Sequence, residues 1–110
     1  MIQYREIKPG QQIVVQIDLD LEDIVPVFLE NRQEDVTEIR DALNRGDFET
    51  VRILGHSMKG AGGGYGFDTV TDMGASLENA AIAEDRAEIE FTVNQLATYL
   101  ECIEVEYVEV

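Results

Sequence analysis

The sequence predicts an all-α protein: an antiparallel four-helix bundle over residues 18–110, preceded by a short extended arm or small hairpin over residues 1–17. Three observations predict it. Four segments repeat apolar residues at spacings of three and four, the period of an amphipathic helix. The connections between them are short and carry residues that stop and cap helices, which makes consecutive helices antiparallel neighbours. The available interior is aliphatic, with 45% hydrophobic but only 7% aromatic residues and no tryptophan, and 110 residues suffice for one modest core.

In chain order, Met1 to Ile17 does not read as helix. Ile2, Tyr4 and Glu6 alternate, Pro9-Gly10 is a turn dipeptide, and Ile13 to Ile17 is β-branched. An arm laid on the bundle and a small hairpin fit this pattern equally. Asp20 is placed to cap a short turn over Leu21 to Ile24, and Pro26, which fits the first turn of a new helix, puts a kink or break there. From Pro26, the residues Phe28, Leu29, Arg32, Val36, Ile39 and Leu43 recur at helical spacing until Gly46, a left-handed stop. Asp47 then caps the second helix, which runs to between Gly63 and Tyr65, where glycines fray it. Asp68 caps the third, with Val70, Met73, Leu77 and Ala80 as its core stripe and Ala83 to Asp85 as its end. Asp85 and Glu88 read as a capping box for the fourth, whose seam runs Ile89, Val93, Leu96, Leu100, Ile103, Tyr107. The alternation of the last seven residues is compatible with an extended tail.

Charge narrows the function classes. With 23 acidic against 8 basic residues the formal charge is −15, which repels phosphate backbones and anionic lipid surfaces; neither nucleic acid nor a membrane is an expected partner. Cys102 is alone, so no intramolecular disulfide forms. No leader pattern opens the sequence and no apolar run approaches about 18 residues, so a cytoplasmic monomer is expected.

The second helix carries the chemistry. His56 to Gly66 reads H-S-M-K-G-A-G-G-G-Y-G and holds the only histidine, with five of the nine glycines behind it. On a helical wheel Val51, Leu54, Gly55, Met58, Gly62 and Tyr65 form the core stripe, and His56 points roughly 140° away from it. Arg52, Lys59, Gly60 and Gly63 surround the imidazole, so Arg52, Gly60 and Gly63 are the candidate partner-contacting positions. Gly60, Gly62, Gly63 and Gly64 together cost a helix about 3–4 kcal/mol relative to alanine. Close helix packing on the inner side and close approach of a partner on the outer side are the two returns on that cost. A neutral imidazole attacks phosphoryl groups near pH 7, and the ammonium of Lys59 one turn on offers donors to phosphoryl oxygens.

The ordered set His56, Lys59, Gly60, Gly66-Phe67, then Leu77-Glu78 with Ala80 and Ala81, resembles the histidine-containing phosphotransfer (HPt) domain, over roughly Asp20 to Tyr107. The wording around His56 is most similar to the phosphotransfer domain of chemotaxis histidine kinases. The resemblance implies a four-helix bundle in a two-component or phosphorelay pathway, in which His56 accepts a phosphoryl group from a receiver aspartate or a histidine kinase and passes it to a receiver. It also implies that Glu78 hydrogen-bonds the histidine Nδ1, fixing the tautomer and leaving Nε2 to attack; on its residues alone Glu78 reads equally as one more solvated carboxylate. Any Mg²⁺ would belong to the partner.

Other chemistries fail on counting. One histidine and one cysteine do not make an ordinary zinc site, and no D-x-D-x-D-G calcium loop is present. The glycine run contains neither G-K-[ST] nor a strict G-x-G-x-x-G, so nothing in it holds ATP. The expectation is a phosphoryl carrier without cofactor, metal or kinase activity of its own. The alternative is a regulatory module that docks a receiver or kinase without carrying phosphate.

Overall fold

In a computed structural model describing residues 3–109, the long elements are α1 (Val25–Asn44), α2 (Phe48–Gly62), α3 (Asp68–Ile82) and α4 (Arg86–Cys102). They form the antiparallel four-helix bundle. No helix among the described residues is long and apolar enough to cross a membrane.

The stops and starts follow local chemistry. Gly46 takes a left-handed φ of 71°, and its N–H reaches the Leu43 carbonyl at 3.0 Å while the Asp47 N–H reaches Ala42 at 2.8 Å. This double closure satisfies the last carbonyls of α1. Arg86 donates to the Leu43 carbonyl as well, at 2.7 Å. Asp47 caps α2 by accepting the Thr50 N–H at 3.1 Å and the Thr50 hydroxyl at 2.6 Å. Beyond Gly62 the helix tightens to a single 3₁₀ turn, Gly63–Tyr65, and Gly66 at φ 86° ends it. Asp85 caps α4 through the Glu88 N–H at 3.1 Å.

The core takes one stripe from each helix: Val36 and Ile39, Val51 and Met58, Met73 and Leu77, Ile89 and Leu96, all buried. Phe28 stacks on Tyr65 at 4.6 Å and on Phe67 at 5.2 Å, closing the end of the bundle where α1 begins. Tyr99 is fully buried among these residues, and burial pushes its phenol up to about 12.

Of the two readings of the N-terminal segment, the extended arm laid on the bundle holds among the described residues and the hairpin does not, because its partner strand is not its own neighbour in sequence. Ile13–Asp18 is a strand, β1, and it pairs in parallel with β2, Ile103–Val108, at the far end of the chain. The register sets Ile13 against Ile103, Val15 against Val105 and Ile17 against Tyr107, one apolar face on the bundle. Val14, Gln16, Glu104 and Glu106 face solvent. The helical seam drawn through Ile103 and Tyr107 is therefore wrong, because α4 ends at Cys102. Alternation with β-branched residues wins there once a partner strand supplies the hydrogen bonds. Before β1 the chain makes a 3₁₀ turn, Tyr4–Glu6, held by Gln95, which donates to the carbonyls of Tyr4 (2.7 Å) and Ile7 (3.1 Å).

Three smaller expectations also shift. The turn after β1 is Leu19–Leu21, capped by Asp18 rather than Asp20. Phe67 is the N-cap of α3, without a side-chain bond, and Asp68 is its first residue. The capping box at α4 is only half made, because the Glu88 carboxylate turns to the Arg5 guanidinium instead of its own helix end.

Candidate functional site

The site is built on α2 and α3, and glycines set the spacing between them. A methyl group at Gly55 would fall 2.7 Å from the Glu78 backbone nitrogen, and one at Gly62 would fall 2.6 Å from the Thr71 hydroxyl and 2.8 Å from the Phe67 carbonyl oxygen. These inner glycines let the backbones touch. The outer ones face open space: Gly60 has nothing within 4 Å of a notional methyl, and Gly63 has only the Thr71 hydroxyl at 3.7 Å and the Asp68 carboxylate at 4.0 Å. Close helix packing is thus present on the inner side, and the outer side is left as bare surface.

His56 stands on α2 with its side chain 66% exposed, pointing away from the core as its position on the wheel demands. Glu78 faces it from α3. Its Oε2 lies 2.8 Å from His56 Nδ1 and its Oε1 accepts from Lys59 Nζ, also at 2.8 Å. The Glu78 side chain is only 14% exposed, so one half-sheltered carboxylate bridges the imidazole and the ammonium. Hydrogen bonds from Lys59 first, and from His56 second, hold its pKa below the usual glutamate value. An ionised carboxylate only accepts, so the neutral ring puts its proton on Nδ1 and keeps its lone pair on the outward Nε2.

Because that pKa is depressed, the bridge is complete above the ordinary glutamate value and is lost as pH falls through the lower folded-state value. Carboxyl ¹³C titration should place the Glu78 midpoint below that of free glutamate. Lys59→Ala should raise the midpoint more than His56→Gln does; the reverse order would mean that the ammonium is not the main partner.

Arg52 lies one turn before His56 but does not join this cluster, because its Nε donates to Glu49 at 3.0 Å on the same helix. His56, Lys59 and Glu78 are thus brought together, Gly60 and Gly63 are left bare beside them, and Arg52 is engaged elsewhere. Gly74 was missed in the sequence. A methyl there would fall 2.5 Å from the Lys59 backbone nitrogen and 2.7 Å from the Gly55 carbonyl oxygen. The available signal was a glycine inside a helical pattern, which costs about 1 kcal/mol without a packing reason.

No curated protein and no solved structure matches the chain. A family model described as the Hpt domain matches residues 23–105, a span that takes in all four helices together with His56, Lys59 and Glu78. With most of its length matched, the chain belongs to the histidine-containing phosphotransfer (Hpt) domain family.

Proposed function

We propose that the protein carries a phosphoryl group on Nε2 of His56 and exchanges it with receiver-domain aspartates or a histidine kinase. Hpt domains work in phosphorelay signalling, so the class of chemistry follows from the family. The assignment to His56 rests chiefly on one observation: Glu78 engages Nδ1 at 2.8 Å while the ring stands exposed.

With an aspartyl phosphate as donor, the Nε2 lone pair attacks phosphorus. The N–P bond forms as the P–O bond to the aspartyl carboxyl breaks, and the electron pair leaves on the aspartate. Nδ1 keeps its proton, and the positive charge that develops on the ring is met by the Glu78 carboxylate already bonded to it. Lys59 has three N–H donors; Glu78 accepts one, and two remain for phosphoryl oxygens. The reverse step is attack of a receiver aspartate on the phosphohistidine. Mg²⁺ and the remaining catalytic groups come from the receiver, whose approach Gly60 and Gly63 leave unobstructed. In this reading the chain acts as a cytoplasmic monomer.

Incubation with a phosphorylated receiver should move label to this protein up to one phosphoryl group per chain, in an acid-labile and base-stable form. A stable complex with the receiver and no label would support the docking module instead.

A further inference from the structure

The two glycines at the α2–α3 contact stand in a definite relation to the carboxylate bridge. The backbone nitrogen of Glu78 occupies the space of a side chain on Gly55, and the backbone of Lys59 occupies that of a side chain on Gly74. Gly74 and Glu78 are one turn apart on α3, as Gly55 and Lys59 are on α2, and His56 follows Gly55 directly. The two residues of the ion pair therefore each rest on the opposite helix's glycine. A single carboxylate reaches both Nδ1 and Nζ at 2.8 Å from there.

We propose that Gly55 and Gly74 are positioning residues for the phosphoryl acceptor: their interlock sets the reach of Glu78 and thereby holds His56 in the Nδ1–H tautomer. This rests on the reading of His56 as the carrier. A methyl on Gly74 would start 2.5 Å from the Lys59 nitrogen. Restoring ordinary contact at about 3.5 Å requires the helices to separate by about 1 Å there. With the side chains held in their present rotamers, a 2.8 Å hydrogen bond lengthened by about 1 Å passes the limit of about 3.5 Å beyond which it no longer counts as one. Alanine is otherwise the better helix residue, so the substitution harms the contact rather than the helix itself.

The test is Gly74→Ala, read by ¹⁵N NMR of the ring nitrogens, which is unambiguous because His56 is the only histidine. The parent ring should be predominantly Nδ1–H. The variant should shift severalfold toward Nε2–H and be phosphorylated by phosphoramidate at least fivefold more slowly, as should Glu78→Ala. The Gly74→Ala/Glu78→Ala double variant should be no slower than Glu78→Ala alone, because both remove the same bond. A folded Gly74→Ala with an unchanged tautomer and rate overturns the proposal, even if it melts lower. If Gly74→Ala does not fold, Glu78→Asp decides: shortening the side chain by one methylene on an unaltered contact should cause the same loss of the Nδ1–H form, and a retained Nδ1–H ring overturns the proposal. Should the parent take no label on His56, the carrier reading falls by itself, and the tautomer measurement still decides the role of the glycines.

Discussion

His56→Gln should lose all acid-labile label from any phosphodonor while melting within about 2–4 °C of the parent. The two halves of this expectation have separate causes. Glutamine has no ring nitrogen with a free lone pair, so no N–P bond forms. The side chain it replaces is two-thirds exposed and outside the core, and glutamine is a good helix former; such surface changes stay within about 0.5 kcal/mol. Glu78 also keeps its bond from Lys59, so the variant strands no carboxylate. Phosphate analysis with a thermal melt on the same sample reads both. Label retained in the variant would place the acceptor elsewhere and end the carrier hypothesis.

Gly60→Gln should transfer to a receiver more than tenfold more slowly while melting no lower than the parent. The Gly60 position opens on empty space, so a side chain clashes with nothing in the folded protein, and replacing a helical glycine recovers roughly 0.5 kcal/mol. That side chain projects one turn from His56, where a receiver must bring its aspartate within reach of direct transfer. Phosphoramidate is small and should still label the variant at near the parent rate. Gly62 is the internal contrast. A side chain there meets Thr71 and the Phe67 carbonyl, so Gly62→Gln should cost about 1–3 kcal/mol by overpacking before any partner is involved. Stopped-flow transfer and thermal melts on the pair separate docking from packing; normal transfer by Gly60→Gln would show that the bare patch is not where the receiver sits.

The four helices, their order and most of their ends were determined by the sequence itself. The signals are local: an apolar residue every third or fourth position, Gly46 at a left-handed stop, Asp47 and Asp85 at first turns. Each acts within about four residues, and no other part of the chain changes its meaning. The outward placement of His56 belongs to the same class, since helix rotation follows from where the core stripe lies. Gly60 and Gly62 were assigned to opposite faces on that basis, and the space around each agrees.

What only the tertiary structure decided are the contacts between segments distant in sequence. β1 and β2 are ninety residues apart in register, and neither segment is a stable strand alone; each was legible only as alternation, so one read as an arm or hairpin and the other partly as helix. Local pattern left Glu78 as one acidic residue among many, and only the resemblance across two helices pointed to the imidazole. Its bond to Nδ1 depends on how closely α2 and α3 approach, which Gly55 and Gly74 set from opposite sides. Arg52 shows the converse, since the wheel sets it beside His56 but Glu49 on its own helix claims its guanidinium. Periodicity fixes the direction in which a side chain leaves its helix, whereas the distance to its partner depends on the packing of two backbones, and an ångström of that packing separates a bridged carboxylate from a solvated one.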